Sequence, residues 1–131
     1  MKYGKIVLER NEFEVILGLL RHAGYSDQLN EECCIRLQEE LKEAIVKDED
    51  DMPDDVVRIN SIIDVETSFG IKKGIQLVIP SERNIAKNKI SILSPMGSAL
   101  IGYARKDEVL WSFPKGKSKV TILNVVNTAT A

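Results

Sequence analysis

The sequence predicts an α+β protein in two parts: a short antiparallel helical hairpin of coiled-coil type over residues 1–50, then an antiparallel sheet domain with one short helix over 51–131. Three observations lead there. Apolar residues recur at helical spacing before residue 50 and alternate at strand spacing after residue 56. The two regions are joined by the run Asp48-Glu49-Asp50-Asp51-Met52-Pro53-Asp54-Asp55, six of whose eight residues are acidic. The charge also divides: residues 1–55 carry 7 Lys and Arg against 15 Asp and Glu (net −8), and residues 56–131 carry 11 against 5 (net +6).

In the first helix Phe13, Ile16, Leu17 and Leu20 share one face. Asn11 is the expected N-cap, Glu12 and Glu14 suit the positive end of the helix dipole, and Gly24 is the expected stop. Asn30 is placed to cap the second helix. There Cys34, Leu37, Leu41 and Ile45 form the inner stripe, with Glu39, Glu40, Glu43 and Lys47 outside. At 12–18 residues each, the helices are about 18–27 Å long. Either they project as a hairpin, which the charged outer face favours, or they pack flat on the sheet domain. The acidic run that follows reads as a solvated linker, and Pro53 ends any helix.

Val57, Ile59, Ile63 and Val65 then point one way along a first strand, with Ile62 out of phase and a bulge expected at Ser61–Ile62. Gly70 and Gly74 bracket a turn, Ile75, Leu77 and Ile79 make a second strand ending at Pro80, and Ser81–Asn88 is a polar loop. Ile90 and Ile92 mark a third strand and Val109, Trp111 and Phe113 a fourth. Pro114-Lys115-Gly116-Lys117 is a turn, and Val120, Ile122, Leu123, Val125 and Val126 close the sheet.

Catalytic chemistry finds little support. His22, the only histidine, stands at the end of a helix with no partner for a nucleophilic triad or a zinc site. Neither a GxxxxGK[ST] loop nor a GxGxxG fingerprint occurs. The adjacent Cys33 and Cys34 read as buried thiols, since so small a disulfide ring is strained. No apolar run approaches the roughly 20 residues of a membrane span, and no apolar signal core follows Met1-Lys2-Tyr3-Gly4-Lys5, so a cytoplasmic protein is expected. No metal or other cofactor is expected. Lys72, Lys73, Lys87, Lys89, Lys115, Lys117 and Lys119 either keep the basic half soluble or face an acidic partner. With aromatics at 5%, base stacking along single-stranded nucleic acid is not expected.

The most informative stretch is Ile90-Ser91-Ile92-Leu93-Ser94-Pro95-Met96-Gly97-Ser98-Ala99-Leu100-Ile101-Gly102. Its Ser-Pro-x-Gly-x-Ala-Leu-x-Gly pattern resembles the core of the C-terminal domain of the bacterial Gre transcription factors, GreA and GreB. The resemblance runs from Val56 to Val126. It takes in Ile75-Gln76-Leu77-Val78-Ile79-Pro80, Asp107-Glu108-Val109 and Pro114-Lys115-Gly116, and departs at Arg105-Lys106, where the family commonly has a glycine. Asp51-Met52-Pro53-Asp54-Asp55-Val56-Val57-Arg58-Ile59-Asn60-Ser61 resembles the lead-in of the Rnk branch, regulators of nucleoside diphosphate kinase with a shortened coiled coil.

The resemblance implies an FKBP-like sheet domain that docks on core RNA polymerase near its secondary channel, without sequence-specific contact to nucleic acid and without enzymatic activity. It puts Ser94, Pro95, Met96, Gly97, Leu100, Ile101 and Gly102 on the docking surface or in its support, and Asp27, Glu31 and Glu32 at the hairpin tip. A factor that stimulates transcript cleavage presents tip carboxylates to a catalytic metal about 45 Å away, some 30 residues per helix. The expected helices have about half that reach. The expectation is therefore a Rnk-type regulator that does not stimulate cleavage. The alternatives are a cleavage-stimulating elongation factor, or an FKBP-like protein-interaction module with another partner.

Overall fold

The computed structural model describes residues 2–21, 28–113 and 116–127. Seven strands and three α-helices run in the order β1 (Val7–Glu9), α1 (Arg10–Arg21), α2 (Gln28–Lys42), β2 (Ile45–Lys47), β3 (Ile62–Thr67), β4 (Gly70–Val78), β5 (Lys89–Ser91), α3 (Pro95–Leu100), β6 (Glu108–Phe113) and β7 (Gly116–Val126). The class is α+β, with a five-stranded sheet ordered β5-β4-β3-β7-β6. His22, Gly24, Asp27, Pro114 and Lys115 lie outside the described residues.

Both helical stripes are buried: Ile16 and Leu20 from α1, and Cys33, Cys34, Leu37 and Leu41 from α2, with Phe13 and Leu17 packed at the margin. They join one apolar cluster with Ile63, Leu77, Leu100, Ile101 and Ile122 of the C-terminal part, so the core is continuous across the acidic run. Ile45, expected to extend the α2 stripe, sits in β2 instead, against Val7, Val56 and Ala104.

The helix starts differ from those expected. α1 begins at Arg10, and its cap is the buried carboxylate of Glu9, which accepts from the N–H groups of Asn11 (2.7 Å) and Glu12 (3.0 Å). A longer side chain reaching forward from a strand does what Asn11 was expected to do. Asn30 lies inside α2, which starts two residues earlier.

β1 and β2 went unread in the sequence. Ile6, Val7 and Leu8 are all buried, so this segment shows no alternation. β1 pairs in parallel with β2 (Val7 with Ile45, Leu8 with Val46), and the entire helical segment lies between these paired strands.

The sheet itself is mixed, not purely antiparallel: β5 runs parallel to β4 (Gln76 opposite Lys89, Val78 opposite Ser91). Two 3₁₀ turns, Pro80–Glu82 and Ile85–Lys87, carry the chain back to the start of β4's last residues, a crossover that a tight hairpin could not make. Val56–Ser61 is no strand. Val56 makes a single bridge to Ala104, and Asn60, at φ 74°, turns the chain into β3. The bulge falls at Asp64 rather than Ser61–Ile62. There Asp64 Oδ1 accepts from the N–H of Gly74 (2.9 Å), whose φ of +70° needs a glycine within β4 rather than at a turn.

Two glycines set opposite expectations. A Cβ on Gly97 would lie 2.1 Å from the Ser91 carbonyl oxygen, a backbone atom that cannot swing away, whereas a Cβ on Gly18 in α1 meets nothing within 4 Å. Gly97→Ala is expected to cost about 3 kcal/mol or more through overpacking, and Gly18→Ala to add about 0.5–1 kcal/mol through helix propensity. Thermal unfolding of the two variants checks the pair, and equal shifts would show that α3 does not press on β5 as described.

Candidate protein-docking surface

α3 and its lead-in are built by three local devices. Ser94 has an extended backbone (φ −69°, ψ 162°) and caps the helix: its Oγ accepts from Gly97 N–H (3.0 Å) and donates to Ser91 O (2.6 Å). Pro95 follows at the first helical position, where its missing N–H costs nothing. Gly97 lets the helix lie directly on the end of β5.

This placement sorts the residues expected at the surface. Gly97, Leu100, Ile101 and Gly102 are buried, so they support the surface rather than form it. Ser94, Pro95 and Met96 are half-buried and, with Leu93, form the accessible strip of this region. Leu93 and Met96 also touch the core, so the strip is apolar and firmly seated. Glu31 and Glu32 are exposed in the first turns of α2.

α2 packs on α3 and is fastened beside it by a polar cluster. Tyr103 donates to Glu40 (3.1 Å), Arg36 Nε donates to Glu40 (3.2 Å), and Arg36 Nη1 donates to the Leu110 carbonyl on edge strand β6 (3.2 Å). Burial pushes the Tyr103 hydroxyl up to about 12, and the Glu40 carboxylate beside it adds to the shift. Burial also raises Glu40, against the pull of Arg36 and the Tyr103 hydroxyl. An open groove of about 370 Å³ runs along α2, lined by Arg36, Glu39, Glu40, Lys42 and Glu43.

The acidic run is solvated as expected, with Asp48, Glu49, Asp50, Asp51 and Asp54 exposed, but it is tied down rather than a free linker. Glu49–Asp51 forms a 3₁₀ turn, and cations from both sides hold the run. Arg10 donates to Asp48 (2.9 Å), and Lys2 and the Tyr3 hydroxyl both bind Asp55. Arg58, nearly buried, donates to Glu12 of α1 (2.7 Å) and to both carboxylate oxygens of Glu49 (2.7 and 2.9 Å). Those bonds hold Glu49 below its usual range and Arg58 above its own. Regular spacing gives no sign of this cluster; the isolated arginine in Val56-Val57-Arg58-Ile59 was its one trace in the sequence.

Chemically the arrangement offers surfaces and ion pairs. Cys33 and Cys34 are buried thiols, and burial raises Cys34 above its usual value. Among the described residues no group of three or more His, Cys, Asp or Glu is placed to hold a metal ion, and no helix is long and apolar enough to cross a membrane.

These features place a half-buried, largely apolar strip on an α+β frame. The comparisons give the family. Residues 52–127 match the model for the C-terminal region of the GreA/GreB transcription elongation factors. A Clostridium kluyveri transcription elongation factor GreA is 36% identical over 93 residues, covering 70% of this chain and 58% of that protein. A Clostridium botulinum GreA is 33% identical over 114 residues, covering 82% and 71%. Among solved structures, a GreA/GreB elongation factor from Nitrosomonas europaea superposes with a TM-score of 0.74 at 31% identity, covering 94% of this chain and 98% of that one. The chain belongs to the GreA/GreB transcription elongation factor family, and it spans less than two thirds of the length of the Clostridium kluyveri relative.

The Arg58 cluster yields a pH-dependent expectation. Arg58→Met leaves Glu12 and Glu49 without their shared cation and is expected to lower stability near pH 7. The folded pKa of Glu49 is depressed, so its contribution is complete above the ordinary glutamate value and is lost as pH falls through the folded value. The gap between wild type and variant should therefore shrink below about pH 4.5. Urea unfolding at pH 7 and pH 3.5 measures it, and a gap that stayed constant would remove the ion pairs from the account.

Proposed function

We propose that this chain is an RNA polymerase-binding regulator of the Rnk type, which docks near the secondary channel and does not stimulate transcript cleavage. In this reading the C-terminal part is an FKBP-like domain, α1 and α2 form a short antiparallel hairpin, and the protein acts by occupying a site rather than as an enzyme. One observation carries it: the helical segment leaves from β1 and returns into β2, which are paired. With both ends fixed side by side, α1 has 12 residues and α2 15, about 18 and 23 Å of helix, and their apolar faces are buried against the C-terminal part. An acidic tip that must help hold a metal about 45 Å inside a channel needs nearly twice that length. Family membership supports polymerase as the partner, and the Leu93–Met96 strip supplies a contact surface.

The test mixes the protein with core RNA polymerase in backtracked elongation complexes, with and without a full-length GreA factor. The expected outcome is no added transcript cleavage from this chain alone, and loss of GreA-stimulated cleavage as the chain is titrated in. Cleavage by the chain alone would revive the elongation-factor alternative. Absence of competition at micromolar protein would leave an interaction module for another partner.

A further inference from the structure

Between β4 and β5 the chain closes a small knuckle, read in the sequence only as part of a polar loop. Asn84 and Lys89 exchange both backbone hydrogen bonds, each at 2.9 Å. Inside this ring Lys87 N–H donates to Asn84 O and Asn88 N–H donates to Ile85 O, both at 3.0 Å. Asn88 takes the left-handed conformation (φ 58°) that asparagine tolerates. The segment is thus fixed by its own backbone. At its apex Ile85 is 85% exposed, ahead of the next large apolar side chain among the described residues, Leu110, at 64%. Arg83 and Lys87 beside it are exposed and Lys89 is half-buried, against one neighbouring carboxylate, Glu82.

Single apolar residues on a surface are ordinary. What distinguishes Ile85 is the combination of near-complete exposure, a hydrogen-bonded mount and a cationic surround. An anchor whose backbone is already fixed gives up less freedom on binding, and protein interfaces are built with an apolar core inside a polar rim. We propose that this knuckle is a second docking element, seating Ile85 in an apolar pocket rimmed by carboxylates on the protein partner. The proposal rests on the polymerase reading above and adds a contact separate from the Leu93–Met96 strip. Cations around the knob steer it toward an acidic rim. One isoleucine is too little apolar surface to hold a protein on a lipid bilayer, where even a single acyl chain binds marginally.

The experiment measures the Kd for core RNA polymerase at two salt concentrations, for wild type, Ile85→Asp, the double variant Arg83→Glu/Lys87→Glu and the control Leu123→Ser. Thermal unfolding is recorded for each, and binding to vesicles of anionic phospholipid is measured in parallel. Burial of one isoleucine corresponds to roughly tenfold to a hundredfold in Kd. Ile85→Asp is expected to weaken binding by at least that factor at an unchanged melting temperature. The double variant is expected to weaken binding about tenfold at low salt and to flatten the salt dependence, with Leu123→Ser at wild-type affinity. Wild type that binds while Ile85→Asp binds equally well overturns the knuckle and leaves the polymerase reading standing. Wild type that fails to bind overturns both. Vesicle binding that depends on Ile85, with polymerase binding unaffected, overturns the protein partner in favour of a membrane.

Discussion

The structure depends on one crowded backbone junction around Gly102. Val7 N–H donates to Gly102 O (3.0 Å), Gly102 N–H donates to Val57 O (3.0 Å), Val57 N–H donates to Tyr103 O (2.7 Å) and Ile45 N–H donates to Ile6 O (2.9 Å). Four separate stretches of chain meet there: the strand before α1, the strand after α2, the segment before β3 and the exit of α3. The approach is so close that a Cβ on residue 102 would sit 2.7 Å from the Cβ of Ile6, and the φ of +84° independently favours glycine. Because the junction holds both ends of the helical segment, the number of residues between those ends, and not the junction itself, sets how far the segment can extend.

Around this junction the electrostatics are arranged to close the molecule. A net charge of −8 before residue 56 and +6 after it first suggests two modules with different tasks. Part of that asymmetry is spent internally, since Arg58 of the basic half grips Glu12 and Glu49 of the acidic half. Arginine suits the position because its planar fork serves two carboxylates at once, which a lysine ammonium would not reproduce. The acidic run is tied to the N-terminal segment, to α1 and to the segment before β3: Lys2, Arg10 and Arg58 each take one of its carboxylates.

Elements with a sustained period were legible in the sequence. The stripe of α1, that of α2 apart from Ile45, and the Ile63–Val65 part of the alternation in β3 were read correctly because period reveals which face is buried; β7 was placed by its apolar run alone. β1 was missed because three buried residues show no alternation, and β2 because Ile45 and Lys47 fit the spacing of the preceding helix. The parallel pairing of β5 was missed because strand direction is set by the crossover, and Ser81–Asn88 shows only polarity in sequence. For the surface residues, pattern located α3 but could not sort it. Burial does: Gly97, Leu100, Ile101 and Gly102 turn inward while Ser94, Pro95 and Met96 are left partly open. The Arg58 cluster and the exposure of Ile85 depend on contacts between distant segments, and neither leaves a periodic trace.

The sorting of α3 changes what the family signature means physically. Ser94 caps, Pro95 starts the helix, Gly97 admits β5, Ala99 and Leu100 fill the core, and Gly102 admits Ile6. Nearly every signature position is used in building the frame, so the pattern identifies the fold more securely than it locates a contact. Function within such a frame must differ through what the signature leaves unspecified: the reach of the helical segment, the side chains of the Leu93–Met96 strip and the knuckle that carries Ile85. The first of these is the least constrained by the frame, because lengthening the helices leaves the β1–β2 pairing and the Gly102 junction untouched. A single frame can therefore carry helical segments of different length without being rebuilt; here α1 has 12 residues and α2 15.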